Sequence, residues 1–239
     1  MYKKLIFVPL LFLIFSCAGK DGAAGPAGAD GGYVMIFQQG VSPYSAYDGC
    51  YDARLTSGAG SSENLGEAQN LLVGSNTVAN FRFIIRFDLS GIVPNTVNID
   101  KAYLTFTTGS TRQGEFNVIA YPVTNEWTEG TATAPSDPDD GVTWVNRTVS
   151  LLWSVQGGDY NLSKSSNSVS VPSGINENVT LLLPPDVVKA WITSSSTNYG
   201  VLIIGSKENL VEDNYTSFYT SEYTGNLTYR PKLILYIKP

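Results

Sequence analysis

The chain has 239 residues, with 15 Lys and Arg against 21 Asp and Glu, two cysteines and no histidine. Without histidine it cannot form a Ser-His-Asp or Cys-His catalytic site, a His-ligated zinc site or an imidazole pH switch. Its formal charge of −6 argues against a nucleic-acid partner, because phosphates require a basic surface. The composition, 43% apolar and 12% aromatic, is typical of a chain that buries a core and folds.

The N-terminus has the pattern of an export signal. Two lysines precede an apolar run over residues 5–15, which is shorter than the roughly 20 residues of a membrane-spanning helix. The run ends at Ser16-Cys17, and this order of charge, apolar run, small residue and cysteine resembles a bacterial lipobox. Residues 1–16 are therefore predicted to be a lipoprotein signal peptide, and Cys17 the lipidated residue. The alternative is an ordinary secretory signal with an incidental cysteine.

Lipidation determines the expected location and the cysteine chemistry. It predicts a protein anchored at the bacterial outer membrane or cell surface, with its domain outside the cytoplasm and its only membrane contact through lipid. Cys50 then has no partner for an intrachain disulfide, and no histidine is present to activate it. Cys50 is predicted to be a small buried apolar side chain.

Residues 17–32 carry the lipidated cysteine and a linker with glycine at every third position from 19 to 31. This period resembles collagen, but four triplets are too few to hold a triple helix by themselves. We expect a solvated tether that lifts the domain from the bilayer. A trimerisation stem is the alternative.

Residues 33–239 are predicted to form one all-β domain, because no second linker interrupts them. Short apolar or alternating segments, separated by turn clusters, predict the strands. They are Val34 to Gln39, Tyr51 to Thr56, Leu71 to Val73, Phe81 to Leu89, Ala102 to Thr108, Glu115 to Thr124, Val142 to Val145, Ser168 to Val171, Val179 to Leu183, Tyr199 to Gly205, Ser217 to Tyr223 and Lys232 to Ile237. One short helix is predicted over Asp186 to Thr193. This pattern indicates a β-sandwich, specifically a jelly roll.

The strand predicted at residues 81–89 has two different faces, because alternate residues of a strand point to opposite sides. Three phenylalanines and Ile85 lie on one side and are expected to fill the core. Arg82 and Arg86 lie on the other, which is either a solvated, salt-bridged surface or a platform for anions, since guanidinium groups match carboxylate and sulfate oxygens. Tyr103 and Tyr121 are expected to share this polar face. The candidate ligand-binding residues are Arg82, Arg86, Tyr103 and Tyr121.

Motifs spread over residues 50–239 resemble one known family. In chain order they are Asp52-Ala53-Arg54, Asn64-Leu65-Gly66, Leu72-Val73-Gly74, Arg82 through Leu89, Trp127-Thr128-Glu129-Gly130, Val142-Thr143-Trp144, Ala190-Trp191-Ile192, Asn198-Tyr199-Gly200, Phe218 through Tyr223 and Arg230-Pro231-Lys232-Leu233. This set resembles the DNRLRE domain, which is grouped with carbohydrate-binding module family 96. The resemblance implies a jelly-roll sandwich that binds polysaccharide, with acidic glycans such as alginate bound by some members.

One loop departs from the family pattern. Residues 131–140 separate two motifs that are usually adjacent, and they carry Asp137, Asp139 and Asp140. Carboxylate oxygens are ligands that Ca²⁺ prefers, so the loop is either a calcium site or a solvated acidic loop. Calcium is the one cofactor considered, and no other is predicted.

The sequence as a whole predicts a noncatalytic, membrane-anchored polysaccharide-binding module that favours acidic glycans such as alginate. One alternative is a structural or adhesive surface lipoprotein. Another is an enzyme, either a glycoside hydrolase that uses Glu126 and Glu129 or a polysaccharide lyase with a tyrosine base. Residues three apart in an extended segment face opposite sides, which disfavours the pair of glutamates. Oligomeric state is left open.

Overall fold

The computed structural model describes residues 31–135, 140–208 and 211–239. These ranges contain eleven β-strands, one α-helix and three single 3₁₀ turns. The elements are β1 (Tyr33–Phe37), β2 (Cys50–Thr56), β3 (Asn70–Ser75), β4 (Asn80–Phe87), β5 (Asn98–Thr107), β6 (Asn117–Pro122), β7 (Val169–Ser170), β8 (Asn178–Leu183), α1 (Pro185–Thr193), β9 (Val201–Gly205), β10 (Asn214–Tyr219) and β11 (Lys232–Lys238). The predicted signal peptide, Cys17 and tether residues 18–30 lie outside the described ranges.

The strands form two antiparallel sheets. The small sheet has the order β1-β11-β5-β8. The large sheet has the order β10-β3-β4-β9-β6-β7, with β2 paired to β4. Side chains from both sheets meet in one hydrophobic cluster between them, so the molecule is an all-β sandwich and the predicted fold class is confirmed.

The main core follows the alternation read from the sequence. Phe83 and Ile85 of β4 are buried, and the Phe83 ring lies 5.2 Å from that of Phe106 on β5. Helix α1 closes one end with Trp191, and Cys50 lies in the same cluster without a disulfide partner. The prediction that Cys50 is a buried apolar side chain is therefore confirmed.

A second hydrophobic cluster lies on the opposite side of the large sheet. The chain between β6 and β7 folds over this side in its described parts, residues 123–135 and 140–168, and we call these parts the cover segment. It contributes Trp127, Trp144 and Trp153, which pack on sheet residues such as Ile84 and Leu202. The expectation of a polar outer face on β4 is therefore wrong over most of the strand, because the cover segment buries it.

Eleven of the twelve predicted strands and the helix are present within a few residues of their expected bounds. The exception is Val142 to Val145, which belongs to the cover segment. Its backbone turns, with the Thr143 N–H donating to the Asn146 carbonyl at 2.8 Å, while Val142 and Trp144 enter the second cluster. In the described part of the chain, no helix combines the length and the apolar character needed to cross a bilayer.

Candidate functional site

The guanidinium group of Arg82 forms hydrogen bonds with other residues of the protein. Its Nε and Nη2 donate to the Glu208 carboxylate at 2.8 and 2.7 Å, and its Nη1 donates to the Gly157 carbonyl at 2.7 Å. The guanidinium carbon also lies 4.7 Å from the centroid of the Trp144 ring. Only 12% of the side chain is exposed. Arg82 thus fastens the cover segment to the sheet, in contrast to the expectation of a guanidinium group left free for an anion.

Arg86 lies four residues after Arg82 on the same face of β4, at the edge of the cover segment. Tyr51 of β2 is its direct cross-strand neighbour, and the guanidinium carbon lies 4.8 Å from the Tyr51 ring centroid and 5.5 Å from that of Trp127. Across the described residues, no hydrogen bond or ion pair engages this guanidinium. The two rings therefore hold a half-buried positive charge in place. This charge also acts on the Glu129 carboxylate, whose pKa it lowers against the larger effect of burial.

This guanidinium borders a surface cavity of about 270 Å³. The wall is mostly polar, and the lining residues are Tyr51, Arg86, Asp88, Ser90, Ser195 and Asn198. The Asp88 carboxylate accepts hydrogen bonds from the Ser90 backbone N–H at 2.9 Å and from its hydroxyl at 2.6 Å. The cavity thus offers one cation together with hydroxyl and carboxylate groups, a set that suits a polar and hydroxyl-rich ligand.

The turn after α1 fixes one wall of this cavity. Asn198 donates from Nδ2 to the Phe87 carbonyl at 2.7 Å, and its Oδ1 accepts from the Gly200 N–H. Gly200 has a φ of 72°, and a Cβ there would lie 2.0 Å from the Ile85 carbonyl oxygen. Only glycine fits this position, so Asn198-Tyr199-Gly200 forms a turn that sets the loop against the end of β4.

The two tyrosines of the predicted site lie apart. Tyr121 does share the covered face of the large sheet, where its ring lies 5.2 Å from that of Tyr160. Tyr103 is on the small sheet, because β5 pairs with β11 and β8 and not with β4. The expectation that Tyr103 shares a face with Arg82 and Arg86 is therefore wrong.

The acidic loop is only partly described, since Asp137 and Asp139 lie outside the described ranges. Asp140 accepts hydrogen bonds from the Thr131 N–H at 2.7 Å and from its hydroxyl at 2.5 Å. The Thr131 hydroxyl and N–H hold the pKa of Asp140 below its usual range. Within the described ranges, no group of three or more potential metal ligands comes together. Calcium binding at this loop stays a prediction.

The two glutamates considered for catalysis have separate partners. Glu126 meets Arg147 at the surface, with Oε1 3.3 Å from Nη1. Glu129 instead accepts from the Asp52 backbone N–H at the open edge of β2, and burial raises the pKa of Glu129 to about 8. Burial also raises the pKa of Asp52, whose side chain accepts from the Ser221 N–H and hydroxyl. The two glutamates therefore do not form an acid–base pair.

The family comparison agrees with a binding role. Residues 43–150 match the model of carbohydrate-binding module family 96. This span begins before β2, includes Tyr51 and Arg86, and ends within the cover segment. The match supports a carbohydrate-binding module and suggests a noncatalytic domain. A search of curated proteins gave no match.

Sequence reasoning missed most of the cavity wall. Tyr51 becomes a neighbour of Arg86 only through the β2–β4 register, and Ser195 and Asn198 reach the site only through the turn after α1. Nothing in the local pattern pointed to Ser195.

Proposed function

We propose that this protein is a noncatalytic polysaccharide-binding module, held at the bacterial envelope by lipid on Cys17, and that it favours acidic glycans such as alginate. The observation that carries the proposal is the guanidinium group of Arg86, which two aromatic rings hold at a polar cavity with no hydrogen bond or ion pair to a described residue. The family match supports the carbohydrate part of the proposal.

The cavity has the groups that a uronate residue needs. The guanidinium of Arg86 pairs with the sugar carboxylate, since its N–H fork matches two carboxylate oxygens. Asp88 and the Tyr51 hydroxyl bind sugar hydroxyls, and Ser90 and Ser195 add further donors and acceptors.

The overall charge determines how such binding depends on salt. A formal charge of −6 repels a polyanion at long range, so attraction must come from cations concentrated locally. Salt screens both the long-range repulsion and the local attraction, with a Debye length of about 10 Å at 0.1 M. A contact carried mainly by one guanidinium group is therefore expected to be weak for a single site and to weaken further as salt increases.

Affinity electrophoresis of the purified protein tests this function. We expect migration to slow in native gels that contain alginate, and to slow much less in gels with a neutral glucan. The retardation should decrease in about 0.3 M salt, where the Debye length has fallen to roughly 6 Å. Equal migration in every acidic and neutral glycan would overturn the proposal. Release of unsaturated uronates from alginate would establish a lyase in its place.

A further inference from the structure

The outer face of the small sheet is partly exposed, in contrast to the covered face of the large sheet; on β5, Lys101 is exposed and Thr105 and Thr107 are buried. Its inward residues, such as Leu104 and Leu233, are fully buried in the main core, so alternate residues point outward. One outward row crosses all four strands in direct register: Ile36, Ile234, Tyr103 and Leu182. Ile36 and Leu182 at its two ends are 38% and 39% exposed. This row forms a largely apolar strip across the sheet.

Two tyrosines and two lysines extend the strip. The Tyr103 ring lies 5.7 Å from that of Tyr236, which is 42% exposed. Lys101 is the cross-strand neighbour of Tyr236, and Lys232 lies opposite Thr105 on the other side of the tyrosines. Along β11, Lys232 lies four residues from Tyr236, the neighbour of Lys101, so the two lysines are separated by roughly 13 Å in the strand direction. We call this surface the tyrosine–lysine face.

These two lysines differ from the other lysines in the described ranges. Lys164 and Lys207 have carboxylate partners, Lys238 pairs with Asp100 at 2.8 Å, and Lys189 donates to two backbone carbonyls. Lys101 and Lys232 have no hydrogen bond or ion pair to any described residue. The Lys101 charge does help Lys238 to lower the pKa of Asp100, but it is Lys238 that forms the ion pair with Asp100. The two lysines of the described ranges that have no hydrogen bond or ion pair therefore lie on one face.

We propose that the tyrosine–lysine face is a second contact surface for a polyanionic polysaccharide chain. The Tyr103 and Tyr236 rings provide apolar surface for the faces of the sugar rings, and Lys101 and Lys232 pair with carboxylates on either side. The two lysines favour an acidic glycan as the occupant, because a polyanion presents carboxylates that can pair with both ammonium groups. This inference rests on the proposed function and extends it.

The position of the face has a consequence for binding. The Arg86 cavity lies on the outer side of the large sheet, and the tyrosine–lysine face lies on the outer side of the small sheet, with the main core between them. The module would then bind one glycan chain on each side of the sandwich. The two contacts therefore contribute separately, and each is removable by substitution without disturbing the other.

The test compares lysine pairs by affinity electrophoresis in alginate gels. The double variant Lys101→Gln/Lys232→Gln removes the two unpaired cations, and Lys164→Gln/Lys207→Gln removes the same charge elsewhere. Migration is normalised to gels without glycan, and thermal unfolding verifies that each variant is folded. We expect the first pair to lose at least about threefold in affinity for alginate, and the control pair to bind like the wild type.

The outcomes separate the two proposals. Adding Lys101→Gln/Lys232→Gln to Arg86→Gln should remove the retardation that Arg86→Gln alone leaves. If the two lysine pairs behave alike, or if the first pair binds like the wild type while Arg86→Gln abolishes binding, the second surface is overturned and the proposed function stands. A wild type that no glycan retards overturns the proposed function and, with it, this surface.

Discussion

The two outer faces of this sandwich show how far strand alternation predicts a surface. β4 and β5 both alternate apolar inward residues with more polar outward ones, and both inward sets fill the main core. The outward side of β4 is buried by the cover segment, whereas the outward side of β5 is partly exposed. Alternation therefore identifies the core side of a strand, but a distant segment decides whether the other side meets solvent.

The two arginines of β4 show the same difference within one strand. Arg82 lies under the cover, where Glu208 neutralises its charge. Arg86 lies at the edge of the cover, where two rings contact its guanidinium and a cavity begins. The two arginines lie on the same side of β4, yet Arg82 has a structural role and Arg86 is a candidate ligand-binding residue.

The largest expected effect concerns Glu129, which joins the cover segment to the edge of β2. Its pKa is about 8 in the folded protein against an ordinary 4.5, so the folded state binds more protons than the unfolded state between these values. This contribution to stability is complete below pH 4.5 and is lost as pH rises through 8. The free energy of unfolding should therefore fall by up to roughly 4 kcal/mol between pH 5 and 8.5.

Urea denaturation at several pH values checks this, with Glu129→Gln as the informative variant. Glutamine stays neutral and still accepts from the Asp52 N–H, so the decrease in stability should become smaller. The control is Glu126→Gln, since the Glu126 side chain is 66% exposed and meets only Arg147. Equal pH slopes in wild type and Glu129→Gln would show that Glu129 is ionised in the folded protein.

The next effect concerns the attachment of the cover segment through Arg82. Arg82→Ala leaves the Glu208 carboxylate and the Gly157 carbonyl without their donors in a poorly exposed site. We expect a loss of about 3 kcal/mol in the free energy of unfolding, as for other broken buried ion pairs. Arg147→Ala is the matched control and should cost about 1 kcal/mol or less, because its partner is exposed. A similar loss in both variants would contradict the structural role of Arg82.

The sequence predicted the fold well because its signals are local. Alternation in segments such as 81–87 places buried side chains correctly, and Pro184-Pro185 followed by an acidic first turn predicts α1. The four tryptophans are buried, in agreement with their size and apolar character. These features depend on the order of residues within one element.

The candidate site was less predictable because it depends on which strands are neighbours. Tyr103 follows the same alternation as Tyr121, yet only Tyr121 lies on the sheet of Arg86. Glu208 reaches Arg82 from the chain that follows β9, 126 residues along the sequence. No local pattern encodes these contacts, since they follow from strand order and from the path of the cover segment.

The central claim is that Arg86 is the cation that a ligand meets at the cavity. The most direct measurement is isothermal titration calorimetry of an alginate oligosaccharide with the wild type, Arg86→Gln and Arg147→Gln. Arg86→Gln should lose about tenfold in affinity, or roughly 1.4 kcal/mol, with thermal stability nearly unchanged, while Arg147→Gln should bind like the wild type. Equal affinity in wild type and Arg86→Gln would contradict the account.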